Sequence, residues 1–238
     1  MILYATLALC AAFTGVVVYR YDLYDREPWP LLLLCATLGA GAMTTAGRVE
    51  SVAFRSWPQP GYAATALLAA AIEELGKVGV VAAIALLDRR DFNDPLDGLI
   101  YGSVAGLGAA VEESVGFLRG AAHGPTLLPG SEIVRIAGHL VMGGIGGFGL
   151  GALRLRRPRA WAWLLSSFAA AVALHFLWDW MSLSPAREQA LQALRASALM
   201  LVGLLLWRRP MTIGLSWSQA VFAPSLAEAI VEDREDRF

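Results

Sequence analysis

The chain has 238 residues, 57% of them hydrophobic and only 16% charged, with a formal net charge of −1. These proportions argue against a basic nucleic-acid binder and place the chain among integral membrane proteins. The two cysteines, Cys10 and Cys35, sit inside separate apolar runs, a pattern that fits neither a disulfide framework nor a CxxC metal or redox site.

Seven apolar runs are long enough to cross a hydrocarbon core as helices. The fold expected is therefore all-α, a polytopic transmembrane bundle of about seven helices. The runs fall at roughly 2–19, 31–47, 62–87, 97–118, 132–153, 160–180 and 189–207. The first has no basic residue before it and Arg20 after it, so it reads as a retained helix and not a cleaved leader. The second is the shortest and holds three threonines. The third carries Glu73, Glu74 and Lys77, the last being the single lysine of the chain. In the fourth, Gly98, Gly102 and Gly106 recur every four residues, as do Gly143, Gly147 and Gly151 in the fifth. Such ladders let helix backbones approach closely, so these two helices are expected to be tightly packed and buried. The sixth run carries His175 and Asp179. Residues 1–207 read as one transmembrane domain with its distinctive motifs between 62 and 180, and 208–238 as a soluble tail with at most a short amphipathic helix.

Arginine distribution orients the spans. One set of alternate loops holds Arg20, Arg26, Arg89, Arg90, Arg154, Arg156, Arg157, Arg159, Arg208 and Arg209; the other set, with adjoining span ends, holds Arg48, Arg55, Arg119, Arg187 and Arg195. The richer set is assigned to the inside, which puts the N-terminus outside and the C-terminus inside. Trp29, Trp57, Trp161 and Trp207 flank spans as interfacial anchors.

A charged group at membrane depth costs on the order of 2.5–3.5 kcal/mol on insertion scales, yet this chain has many. Glu73, Glu74 and Lys77 lie on span 3, Glu112 and Glu113 on span 4, Arg135 and His139 on span 5, and His175 and Asp179 on span 6. At ~1.5 Å rise per residue, the alternating directions bring Glu73, Glu74, Glu113, His139 and His175 to the middle or outer half of the membrane. A single polar cluster is expected. Glu73 and Lys77 are at i,i+4 in the favourable order and can pair, which leaves Glu74 as the freer base. His175 and Asp179, also at i,i+4, can point into one cavity, with Tyr101 and Trp178 as further donors. Arg135 is a partner for an acid or an end residue reaching the interface, and Asp97 a helix cap. A carboxylate in such a site can act as general base on water, and a histidine can share the proton or steady an oxyanion.

"EELGK" (73–77), "DGLIYGSVAGLGAAVEES" (97–114), His139 preceded by Arg135, and "HFLWD" (175–179) together resemble the PrsW-type intramembrane proteases. That family is grouped with the CAAX-prenyl proteases among glutamic intramembrane proteases. The resemblance covers residues 62–180 in the expected order. It implies an intramembrane endopeptidase in which Glu73 or Glu74 activates water, with the first glutamate favoured by the prenyl-protease relatives. Glu113 matches the second motif, His139 is a further polar group of the pattern, and His175 is implied in binding the oxyanion. Ala109 and Ser114 stand where Phe and Asn are usual, and Asp179 replaces an Asn. The resemblance also implies a bacterial cytoplasmic membrane and a membrane-anchored substrate such as an anti-sigma factor or a peptide precursor. No cofactor is required on this reading.

Two other readings use the same residues. Glu and His ligands can hold zinc with an open position for water, although there is no HExxH. Buried carboxylates and histidines also build proton relays, as in a proton-coupled transporter or a non-catalytic membrane binding protein.

Overall fold

The computed structural model describes residues 2–23, 25–57, 60–94, 96–120, 127–183 and 189–235, of which 189–193 and 223–235 are described as backbone only. Arg187 and residues 236–238 of the expected tail lie outside the described residues. Seven helices follow in chain order: α1 (Ile2–Arg20), α2 (Trp29–Ser56), α3 (Tyr62–Leu87), α4 (Asp97–Gly120), α5 (Gly130–Arg154), α6 (Ala160–Leu183) and α7 (Gln189–Glu235). The all-α bundle expected from the apolar runs is the architecture found.

Five of these helices, α1, α2, α5, α6 and the Leu194–Phe222 part of α7, are long and apolar enough to cross a membrane. The other two are interrupted by the residues that make the chain unusual: α3 by Glu73, Glu74 and Lys77, α4 by six glycines and the Glu112–Glu113 pair. Proline shapes two starts. Pro28 and Pro129 occupy the N-cap positions of α2 and α5 in extended conformation, where a missing N–H costs nothing. Helix α2 begins two residues before its expected run and continues nine beyond it, because Arg48, Glu50 and Arg55 sit on a helix and not in a loop.

Helix α4 is the centre of the bundle, with nearly every side chain from Asp97 to Ala110 buried. It packs most extensively on α5, and the two glycine ladders meet in antiparallel register. A Cβ on Gly102 would overlap the Gly143 carbonyl oxygen, and one on Gly106 would overlap the carbonyl of His139 itself. The glycines therefore set how close the His139-bearing turn of α5 comes to α4.

Helix α7 does not stop at 207. Arg208 and Arg209 are exposed, but Met211, Gly214 and Ser218 stay buried, with Gly214 against Leu96 and the Ser218 hydroxyl donating to Asp94. The break expected at 208 is absent because the apolar contact face resumes after Pro210.

The end of the bundle formed by the α1–α2, α3–α4 and α5–α6 loops holds a buried acidic network. The Tyr101 hydroxyl donates to Glu27, whose backbone N–H donates to Asp22 at 2.9 Å. Glu27 and Asp97 lie beside each other in this network. Asp97 accepts the backbone N–H groups of Asn93 and Asp94, each at 2.7 Å, so the cap expected there organises the turn ahead of α4. Burial pushes Glu27 up from an ordinary 4.5 to about 8, with neighbouring Asp22 and Asp25 adding to the rise; burial likewise pushes Asp22 up to about 6.

Two outcomes are expected. Gly102→Val should sharply lower the folded, monodisperse fraction in detergent, since overpacking against backbone costs about 1–3 kcal/mol or more. Gly41→Ala, where a Cβ meets nothing within 4 Å, should not lower it. Because the folded protein holds protons on Glu27 and Asp22 that the unfolded chain releases, stability should be highest below about pH 4 and fall as pH rises toward about 8. Glu27→Gln should flatten the upper part of that decline in thermal unfolding measured across pH.

Candidate active site

Helices α2 to α6 bring ionisable side chains together in the opposite half of the bundle, near the α2–α3 loop. Counted along each helix from the nearer end, Glu73, Glu113, His139 and His175 all lie ~10–16 Å deep. They form one cluster, as their shared depth led us to expect.

Helix α3 places its residues through its buried stripe. Ala66, Ala70, Glu74, Lys77, Val81 and Ile84 follow helical spacing and face the core, so Glu74 and Lys77 share that stripe while Glu73 sits on the adjoining face. The Lys77 ammonium donates to Glu74 Oε1 at 2.5 Å, and both side chains are fully buried. This corrects the expected Glu73–Lys77 pair: the cation pairs at i,i+3 with the second glutamate. The same Oε1 meets His175 Nδ1 at 2.7 Å. An ionised carboxylate only accepts, so the imidazole donates from Nδ1. His175 Nε2 then faces Glu73 Oε2 at 3.4 Å and Asp179 Oδ2 at 3.6 Å.

A second chain arrives from α4 and α5. Arg135 Nη1 lies 2.5 Å from Glu113 Oε1, and Glu113 Oε2 lies 3.0 Å from His139 Nε2. His139 accordingly donates from Nε2, which leaves its Nδ1 buried with no hydrogen-bond partner. The His139 and His175 rings meet edge to face at 5.1 Å. Glu73 Oε2 is also buried with no hydrogen bond, although His175 Nε2 approaches it to 3.4 Å. Of the acids around the rings, Glu113 is 38% exposed, Asp179 22% and Glu73 11%, so the cluster opens past Glu113 and Asp179.

The structure thus brings together Glu73, Glu74, Lys77, Glu113, Arg135, His139, His175 and Asp179. It does not bring Tyr101. That residue is twelve positions before Glu113, ~18 Å away along α4; its ring stacks on Phe92 and its hydroxyl serves Glu27. Trp178 lines a groove with Met200 and Leu201 on the α7 side. Glu112 accepts from the Thr44 hydroxyl at 3.0 Å, bridging α4 to α2. Two acids were missed. Glu50 on α2 has a buried, unpartnered Oε1 and senses the charges of Asp179, His175 and Glu113. Glu132, fully buried in the first turn of α5, lies 3.3 Å from Arg135. Glu50 stood just outside an expected span, among residues read as loop, whereas Glu132 opened the fifth expected span, where its helical spacing with Arg135 and His139 was the available signal.

A metal fits this arrangement. Glu73, His139 and His175 offer a carboxylate oxygen and two imidazole nitrogens within 4.8 Å of one another. Each imidazole is tied at its other nitrogen to a carboxylate, the outer support usual for metal-bound histidine.

Membrane-length helices around a buried carboxylate–imidazole centre define a polytopic membrane protein equipped for hydrolysis, and comparison with known families makes that class intramembrane protease. The family described as "PrsW family intramembrane metalloprotease" matches residues 27–207, about three quarters of the chain. The chain belongs to the PrsW family. It is similar to Protease PrsW of Geobacillus kaustophilus (strain HTA426), 25% identical over 169 residues that cover 71% of this chain and 74% of the relative. It is also similar to Protease PrsW of Bacillus subtilis (strain 168), 26% identical over 164 residues, 68% of this chain and 74% of the relative. No solved structure matches at comparable significance.

Lys77→Met should leave Glu74 buried without its cation, which costs about 3–5 kcal/mol when one partner of a buried pair is removed. Thermal unfolding in detergent should show the loss, and Lys77→Arg should recover part of it.

Proposed function

We propose that the protein hydrolyses a peptide bond of a membrane-anchored protein or peptide precursor, with Glu73 as the base that activates water. One observation carries this reading: Glu73 Oε2 is a buried carboxylate oxygen without a hydrogen bond, beside two imidazoles, whereas Glu74 is already held by Lys77 and His175. The choice between the adjacent glutamates, open in the sequence, therefore falls on Glu73.

In the proposed reaction Glu73 takes a proton from water as the hydroxide oxygen bonds to the scissile carbonyl carbon. The carbonyl oxygen becomes an oxyanion. His175, held at Nδ1 by Glu74, donates to it when it also carries a proton on Nε2. Glu73 then returns its proton to the amide nitrogen as the C–N bond breaks, giving a carboxylic acid and an amine and restoring the Glu73 carboxylate. His139, fixed by Glu113, lines the opposite side.

The second reading is a metal-dependent one, favoured by the mutual closeness of Glu73, His139 and His175. These three would hold a zinc ion, with Glu74 and Glu113 as outer supports. Such an ion would acidify bound water and polarise the carbonyl. The transporter reading gains no support from membership in a protease family.

For topology we propose the N-terminus outside, supported by the arginine-rich loops at the end remote from the site. The cleavage site then lies toward the outer leaflet. A membrane-anchored anti-sigma factor is a candidate substrate on the strength of the family resemblance.

Co-expression with single-span candidate substrates tests the reading by fragment mass. Glu73→Gln should abolish cleavage, a loss of about 100-fold or more. Wild-type turnover by folded Glu73→Gln would overturn it. Metal analysis of the purified protein, with activity before and after chelation, separates the two mechanisms. Activity in metal-free protein supports the glutamate base alone, and one bound zinc whose removal abolishes cleavage supports the metal.

A further inference from the structure

The two imidazoles are held by chains of the same order: Lys77–Glu74–His175 and Arg135–Glu113–His139. The cations differ in setting. Lys77 is 1% exposed and enclosed by the bundle, whereas Arg135 is 16% exposed, near the open end of α5. A long arginine side chain so placed is free to turn its charge toward the interface. Something must keep it on Glu113.

Glu132 stands where that restraint is needed. It is fully buried in the first turn of α5, one turn before Arg135, with its Oε2 3.3 Å from Arg135 Nε. Helix capping does not account for it. An acid in a first turn gains from the helix dipole while remaining solvated, but Glu132 is out of solvent and neither oxygen accepts a hydrogen bond. Burying a carboxylate is costly unless it is paired, and among the described residues its ion-pair partner is Arg135. The guanidinium therefore has three neighbours: Glu132 in an ion pair 3.3 Å from Nε without a hydrogen bond, Glu113 at 2.5 Å from Nη1, and the Phe117 ring 5.3 Å from its centre.

We propose that Glu132 is a positioning residue for the peptidase reaction. It holds Arg135 on Glu113, so that Glu113 accepts from the Nε2–H of His139 and the unprotonated Nδ1 faces the reaction space. The proposal rests on the reading of this cluster as the hydrolytic centre. It predicts that a residue remote from the reacting atoms sets the tautomer of one that lines them.

The full-length protein in detergent, labelled with 15N-histidine, provides the test. The chain has three histidines, so single His→Gln variants assign the ring signals. In the wild type His139 should be the Nε2–H tautomer; an Nδ1–H tautomer overturns the proposal, whatever any variant does. In Glu132→Gln the His139 signals should shift or split while those of His175 stay in place. For a quenched single-span peptide, kcat should fall about 10-fold or more, the usual effect of losing an outer support, with KM within about twofold. Glu132→Asp should restore part of the rate. In an Arg135→Gln background, Glu132→Gln should cause no further loss. Wild-type kcat in folded Glu132→Gln, or losses that multiply in the double variant, overturns it. The ring spectra do not depend on activity, so failure of the hydrolytic reading, seen as an active Glu73→Gln, is distinguishable from failure of this chain.

Discussion

A lysine ammonium and a carboxylate, both out of reach of solvent, meet at 2.5 Å in the middle of α3, and the site is arranged around that contact. Either charge alone would be untenable at that depth. Together they leave a carboxylate oxygen able to accept once more, and it accepts from His175. That second contact leaves His175 Nε2 facing Glu73 at 3.4 Å and Asp179 at 3.6 Å. The pairing explains how a segment this apolar tolerates three ionisable groups: two satisfy each other and orient His175, and the third, Glu73, keeps a buried carboxylate oxygen without a hydrogen bond.

The precision of this arrangement depends on α4. Its glycines bring the α5 backbone into direct contact, and Gly106 touches the turn that carries His139. Seven residues farther along α4, Glu113 receives His139 and Arg135. The same helix ends, at its other terminus, in the Tyr101–Glu27–Asp97 network, which ties it to the α1–α2 loop. Thus α4 is anchored at one end by buried hydrogen bonds and opened at the other to the site. A rigid element fixed in this way holds Glu113 and the His139-bearing turn in register with each other.

Much of the fold was legible in the chain. The apolar runs located seven helices, because length and hydropathy alone decide whether a segment can span a bilayer. The glycine ladders marked α4 and α5 as tightly packed and buried, since small residues at every fourth position let backbones approach closely, but not that the two ladders would meet. Depth counted along antiparallel helices put acids and imidazoles at one level. Less legible were helix ends: α2 runs on through Arg48 and Glu50, and α7 through Arg208 and Arg209, because charges near an interface or on an exposed face do not stop a helix. Those errors hid Glu50 and led to a tail being expected where α7 still packs.

The sequence by itself determined the class of fold, the family and the residue types assembled at the site, since periodicity, run length and motif order are properties of the chain. Only the tertiary structure decided the partners. Whether Lys77 took Glu73 or Glu74 turned on which of two adjacent residues fell on the buried stripe and met α6. Tyr101 was the right kind of donor on the right helix, but at the wrong end. Arg135 found acids on two elements, one of them unsuspected. Spacing along one helix tells which residues can meet; which of them do meet depends on the helices packed alongside, where desolvation leaves a buried charge no alternative to the partner that packing supplies.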